Sequence, residues 1–345
     1  MIIFRTDGNR EIGTGHIMRC LSIADAFRIL GEESAFAVAD ASMQKLIEER
    51  GFKVCVFDTD FRKMAEDMMF TKDLIKEFNA RMLIVDSYFV TDDYLRSFKE
   101  IIKLVYIDDL ALFAYPADVL INYNIYAKRS VYEKLYSEKV ESLPELLIGI
   151  GYAPLRKEFC NLPKKEIREK CTDVLISTGG ADPAHLALRM ISYIAAECYD
   201  DGLIYHVVIG AMNQDKAEIN NIASKCKRIV LHHNVRDMKE LICSCDVAMS
   251  AAGSTLYEIC ACGVPLITYV IADNQIDGAK TFESKGLAIN LGDIRAISNI
   301  SKYFEIIMEL CSDRNKRLML RDKMLNWIDG TGAERIALYL TENKS

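Results

Sequence analysis

Short runs rich in Val, Ile and Leu alternate along the chain with longer stretches whose apolar residues recur at helical spacing. In the first half MIIFR, SAFAVA, FKVCVF, RMLIVD, KLVYID and ADVLIN read as strands; in the second half DVLIST, LIYHVVIG, RIVLHH, DVAMS, VPLITYVI and LAINL do. Between the first two runs, Ile17, Cys20, Leu21, Ala24 and Phe27 share one face of a helix. Continuous apolar strands separated by helices predict parallel sheets covered on both faces. The alternation breaks at GYAPLRKEFCNLPKKEIREKC, whose two prolines and dense charge make it a candidate linker or crossover helix. The pattern therefore predicts two α/β domains, 1–153 and 154–325, and a helical tail over 326–345 that can pack back on the first domain.

Composition narrows the class. With 345 residues, 50% hydrophobic and 27% charged, the chain suits a soluble globular protein of two domains. A net charge of -7 argues against a nucleic-acid surface, because phosphate backbones attract basic faces. The 11 cysteines are odd in number and scattered, and the chain runs from Met1 straight into a strand. A reducing compartment, the cytoplasm, is expected, with no disulfide framework. Cys243/Cys245 and Cys260/Cys262 are spaced C-x-C, not the C-x-x-C of structural zinc, and read as core residues. The longest apolar runs fall short of the about 20 residues that span a bilayer, so no membrane partner is expected. There is no H-E-x-x-H and no cluster of acids with histidine at ligand spacing, so neither metal nor cofactor is expected.

In open parallel sheets, ligands bind beyond the carboxyl ends of strands. Five loops there carry candidate chemistry. After MIIFRT, DGNREIGTGH brings Gly13, Gly15 and His16 to a helix start. Both glycines permit a positive φ, and the unpaired amides of the helix disfavour an imidazolium, as a general base requires. The plainer reading is a capping turn with His16 half exposed. A dinucleotide fingerprint fits poorly, because Met18 stands where the third glycine belongs, although Asp40 could imitate the ribose-binding acid. ISTGGADP offers Gly179 and Gly180 before a helix near Pro183, and AAGSTLYE offers Gly253, Ser254 and Thr255 at another; both suit an anion. Glu258 either closes a capping box with Thr255 or accepts ribose hydroxyls. IVDSY exposes Asp86, Ser87 and Tyr88, and ADNQ exposes Asn274 and Gln275. Tyr88 is otherwise a core-edge ring and Asn274 a helix cap. His185 and His206 read as packing residues, whereas His232 and His233 could line a base pocket.

Taken in order, FRTDGNREIGTGHIMRCLSIA, IVDSY, YIDDLA, GYAPLRKEF, ISTGGADP, AMSAAGSTLYEICACGVPLI and ADNQ resemble a known family. It is the nucleotide-sugar hydrolases of pseudaminic acid synthesis, which act on UDP-2,4-diacetamido-2,4,6-trideoxy-β-L-altropyranose, with relatives among spore coat polysaccharide biosynthesis proteins. The resemblance implies a GT-B fold, two Rossmann-like domains with parallel sheets facing an inter-domain cleft. It implies a metal-independent hydrolase that takes water as acceptor. His16 maps to an essential histidine, Tyr88 and Asn274 to sugar-site residues, and Gly253, Ser254, Thr255 and Glu258 to the diphosphate and ribose loop. One departure is Ala252, where relatives carry glycine; a positive φ there would strain alanine.

The expected reaction is attack by water, activated by His16, on the anomeric carbon, with inversion. UDP departs with its charge held at the Gly253–Thr255 helix start and by amides near Gly179 and Gly180. The expected partners are a UDP-sugar and water. A glycosyltransferase using a sugar or lipid acceptor would show the same donor loops, and a non-catalytic nucleotide-sugar-binding protein would bind UDP without needing His16.

Overall fold

The structure is a computed structural model and describes residues 1–137, 142–180, 182–197, 202–210, 212–235, 237–296 and 299–342. The chain divides into two compact units: Met1–Lys157 with Thr331–Ser345, and Glu158–Gly330. The chain crosses between them at 157/158 and 330/331, not at the expected 153/154 and 325/326. The expected tail holds one helix, Gly332–Glu342, which belongs to the first unit; the helix before it, Arg314–Trp327, ends the second. Residues 343–345 of that tail lie outside the described residues. The proline- and charge-rich stretch forms only short 3-10 turns at Ile150–Tyr152 and Lys157–Phe159, so it is a linker and not a crossover helix.

Among the described residues, the first unit is built on seven parallel strands: β1 (Ile2–Thr6), β2 (Ser34–Val38), β3 (Lys53–Val56), β4 (Met82–Asp86), β5 (Lys103–Ile107), β6 (Val119–Asn122) and β7 (Glu145–Ile148). They lie in the order β3-β2-β1-β4-β5-β6-β7, with Phe4 paired to Phe36 on one side and Ile84 on the other. β7 is the strand the pattern missed; four residues between Pro144 and Gly149 are too few to show a period. Helix Gly15–Ile29 is buried nearly all round, not on one face as its spacing predicts. The sheet covers one side, and Ala333, Ile336, Ala337 and Leu340 of the returning helix share a core with Ile17, Cys20, Leu21 and Phe27.

Arg5 stands fully buried in β1. Its guanidinium reaches Asp67 at 2.5 and 2.8 Å and Asp7 at 2.5 Å, which satisfies a charge that would otherwise be costly to bury. Asp7 also accepts Ala39 N–H at 2.7 Å, tying the loop after β1 to the end of β2.

Among its described residues, the second unit has six parallel strands: β8 (Asp173–Ser177), β9 (Ile204–Ile209), β10 (Ile229–His233), β11 (Val247–Ala251), β12 (Leu266–Val270) and β13 (Ile289–Asp293). Their order is β10-β9-β8-β11-β12-β13. Each sheet reverses direction once, between β1 and β4 and between β8 and β11. In such sheets, the reversal opens a crevice at the carboxyl ends where ligands bind.

Candidate active site

At the first reversal, β1 leads into a loop closed on itself. Asn9 N–H bonds Gly13 C=O at 3.1 Å, and Gly13 N–H bonds Asn9 C=O at 2.9 Å. The Asn9 side chain accepts from Glu11 N–H at 2.9 Å and Ile12 N–H at 3.2 Å. Gly13 takes φ +76°, which an L side chain rarely adopts. Gly15 does not; it opens the helix behind Thr14, whose side chain makes no capping bond. Asp40 caps the turn at Ala41–Met43 by accepting Ser42 N–H at 2.7 Å.

His16, in the first turn of that helix, is only 5% exposed, with the ionised side chains of Asp86 and Arg19 beside its Nδ1. Its Nδ1 lies 2.6 Å from Asp86 Oδ1, at the end of β4. An ionised carboxylate only accepts, so Nδ1 carries the proton and Nε2 keeps the lone pair. Arg19 Nη2 is 3.0 Å from Nδ1, but a nitrogen donating to Asp86 has no lone pair to offer it, so this is proximity. Arg19, one helical turn on, forks onto Asp86 with Nε–Oδ2 2.6 Å and Nη2–Oδ1 2.5 Å. Nη1 meets Asp109 Oδ1 and the Tyr123 hydroxyl, both at 3.0 Å. Asn124 Nδ2 donates to Asp109 Oδ1 at 2.8 Å.

Burial pushes the Asp86 carboxyl up, but the charge of Arg19, with the hydrogen bonds from Arg19 and His16, outweighs it and holds the group well below the usual carboxylate range. Asp109 is likewise held down: burial opposes, and Arg19 prevails. Asp86, expected as a substrate contact, is 1% exposed and committed to His16, Arg19 and the Cys20 thiol. It orients the histidine from behind. The Tyr88 ring meets His16 edge-on at 4.4 Å between centroids. Burial and then Asp109 raise its phenol well above the ordinary value, so it stays a neutral donor.

At the second reversal, Gly179 (φ +84°) and Gly180 follow β8. A Cβ at Gly210 would fall 2.2 Å from Gly180 O, so the loop after β9 needs glycine to seat this turn. The next helix begins at Leu186, not near Pro183. Its first amides are occupied: the buried Asp182 carboxylate accepts Leu186 N–H at 2.9 Å and Ala187 N–H at 2.8 Å. That helix start therefore already holds an anion, and only the glycine main chain ahead of it remains for a phosphate. Burial raises the Asp182 carboxyl above its ordinary value despite these amides.

The helix after β11, Thr255–Cys262, is different. Ser254 is its cap residue and forms no side-chain capping bond. The helix opens at Thr255, so the expected Thr255–Glu258 box is out of register, with Glu258 inside the first turn. No atom lies within 4 Å of a Cβ placed on Gly253. Ala252 is outside the left-handed region, so alanine is unstrained there. After β12, Asn274 is exposed in the turn Asp273–Gln275 and does not cap the next helix. Gln275 Oε1 accepts Ile271 N–H at 3.0 Å, which makes that oxygen a brace of its own turn. Because β8, β11 and β12 are neighbours, Gly179, Gly180, Gly253, Ser254, Thr255, Glu258 and Asn274 lie on adjacent loops.

The histidine expectations need correction. His185 is exposed and paired to Asp215 at 2.7 Å, not packed. His232 bonds His206 at 3.0 Å, and His206 bonds Asp173 at 3.0 Å, in a cluster across β8, β9 and β10. Arg19, Asp109, Tyr123, Asn124 and Asp182 were assigned no role from sequence. The available signal was positional: Arg19 is one turn from His16, and Asp109 follows β5, the strand next to β4.

Two Rossmann-like parallel sheets, each with its strand order reversed once and glycine-bearing loops at that reversal, define the GT-B fold. Acinetobacter baumannii MurG shares that fold, with TM-score 0.69, 12% identity and 99% of each chain covered. The Glycosyltransferase family 28 C-terminal domain matches residues 166–324, within the second unit. The UDP-2,4-diacetamido-2,4,6-trideoxy-β-L-altropyranose hydrolase of Campylobacter jejuni is 30% identical over 68% of this chain and 76% of its own length. The chain belongs to that hydrolase's family. An uncharacterized protein of Methanocaldococcus jannaschii is 28% identical over 79% of this chain, and the chain spans 55% of that relative's length. Among the described residues, no helix is long and apolar enough to cross a membrane.

Proposed function

We propose that this protein hydrolyses a UDP-linked 2,4-diacetamido-2,4,6-trideoxy sugar at its anomeric carbon, releasing UDP and the free sugar. The observation that carries this reading is His16 Nδ1 bound to Asp86 at 2.6 Å, which fixes the tautomer with Nε2 as base. Nε2 takes a proton from water as the water oxygen bonds the anomeric carbon. The bond from that carbon to the diphosphate oxygen breaks, and its electron pair leaves with UDP. Attack from the face opposite the leaving group inverts the anomeric centre. The amides of Ser254 and Thr255, at a helix start without a side-chain cap, hold the diphosphate; Gly253, whose own N–H donates to Ala251 C=O at 2.8 Å, leaves room for its approach, and the Gly179–Gly180 main chain assists. Glu258 accepts ribose hydroxyls. Tyr88, beside the imidazole, and the exposed Asn274 amide orient the sugar and the water. The reaction needs no metal ion.

The test is turnover of this UDP-sugar in 18O-labelled water, with chelator and without any acceptor. Label appears in the sugar and not in UDP, and His16→Ala lowers kcat by at least about 10²–10⁴-fold. Label in UDP, or wild-type rates from His16→Ala, overturns the reading. A second reading, transfer to a sugar or lipid hydroxyl, is favoured by the match of residues 166–324 to a glycosyltransferase domain. A transferase releases UDP only slowly until an acceptor is supplied.

A further inference from the structure

The cluster behind His16 holds more negative charge than Arg19 requires. Asp86 alone receives a two-bond fork from the guanidinium and would neutralise it. Yet Asp109, from the end of β5, sits on the same guanidinium, with Oδ1 3.0 Å from Nη1 and Oδ2 2.9 Å from Nη2. Its side chain is 10% exposed, and Arg19 is 8% exposed. A second buried carboxylate pays desolvation and is repelled by the first. Asp109 and His16 share no hydrogen bond, so the charge acts on the ring through space and through Arg19 and Asp86. With the imidazole neutral, two carboxylates face one guanidinium and leave one negative charge unbalanced. When Nε2 takes a proton, the four groups balance.

We propose that Asp109 is a positioning residue for the hydrolysis: through Arg19 it keeps the Asp86 carboxylate seated on His16 Nδ1, and its charge offsets the imidazolium formed as water is deprotonated. This rests on the reading of His16 as the base. The arrangement is braced from a third strand end. Asn124, following β6, donates to Asp109, and the neighbouring Tyr123 hydroxyl meets Arg19. The other titratable groups facing the cluster are Cys20, Tyr88, Tyr106 and Tyr123. Burial pushes all four up, Tyr123 to about 12, so none of them changes charge near neutrality.

The decisive variant is Asp109→Asn, which keeps the side-chain shape and one acceptor for Arg19 but removes the charge. It is expected to lower kcat about 10-fold or more while KM moves less than about twofold, the pattern of an interaction realised only in the transition state. The acid limb of kcat/KM moves to lower pH, because an imidazole that has lost a nearby negative charge binds its proton less firmly. Asp109→Glu, which restores the charge, returns the limb toward its wild-type position. In a His16→Ala background, Asp109→Asn costs no further activity, since there is no imidazolium to offset.

A merely structural Asp109 gives a different record. Its loss would lower the folded fraction, leave the acid limb in place and cost the same with or without His16. Any of those results, or an Asp109→Asn protein that does not fold, overturns the proposal. If His16→Ala itself turns over at the wild-type rate, the reading of His16 fails. If His16→Ala is inactive and the Asp109→Asn limb is unmoved, only the role given to Asp109 fails.

Discussion

In the first unit, the crevice where the strand order reverses is furnished with side chains: His16, Arg19, Asp86 and Asp109 in one hydrogen-bonded set. In the second unit, the equivalent crevice between β8 and β11 is furnished with main chain, around Gly179, Gly180 and Gly253. The same topology thus supports two kinds of chemistry. Moving a proton needs a titratable ring locked in one tautomer, and locking it takes buried carboxylates and a guanidinium to satisfy them. Holding a diphosphate needs amide N–H groups that nothing else covers. The second unit repeats the contrast on a smaller scale. Asp182 fills one helix start, and Ser254 leaves its neighbour without a side-chain cap.

The variant that separates the two crevices most widely is His16→Ala: activity falls by orders of magnitude while UDP affinity, measured by calorimetry, stays within about twofold, because the amides are untouched. Equal losses of binding and turnover would break the division of labour. Next in size is Asp86→Asn. It takes one partner from a buried pair, which costs about 3–5 kcal/mol; the remaining Asp109 contact places the loss at the low end. Hydrogen exchange should show it in the first unit alone. Folding lowers the Asp86 carboxyl, so its contribution is complete above the ordinary value near 4 and is lost as pH falls through the lowered one. The gap between wild type and Asp86→Asn must therefore close in acid.

Ser254→Asp is a smaller change that would make the open helix start resemble the filled one. A carboxylate cap stabilises the helix by about 0.5–1 kcal/mol and competes with the diphosphate, weakening UDP about tenfold. Unchanged UDP affinity would remove Gly253–Thr255 from the binding site. The smallest effect concerns Asp182, whose carboxyl burial raises. Its contribution is present below the ordinary carboxylate value and lost as pH rises through the raised one, the opposite slope to Asp86. Urea titrations of Asp182→Asn across that range should lack the slope that wild type shows.

Twelve of the strands, the His16 loop and both glycine loops were legible because each leaves a local mark: a continuous apolar run, or a glycine pair between a run and a helix. β7 left none. Arg19 was illegible for a different reason. On a helix facing water it would read as solvated surface, and only the ends of β4 and β5 turn it into a buried fork. Gln275 and Asp86 carry the residue types of a binding site, yet one braces its own turn and the other faces inward. Residue type alone could not distinguish these uses.

By itself, the sequence determined the alternation of strands and helices, and hence two parallel sheets with glycine-rich loops at their carboxyl ends, because hydrophobic periodicity and glycine's backbone freedom act within a few residues. The tertiary structure alone decided which charges meet. Asp86 and Asp109 are 67 and 90 residues from Arg19. Only the sheet order β1-β4-β5 brings their carboxylates onto one guanidinium, where burial makes the pairing of both with Arg19, and of Asp86 with His16, obligatory.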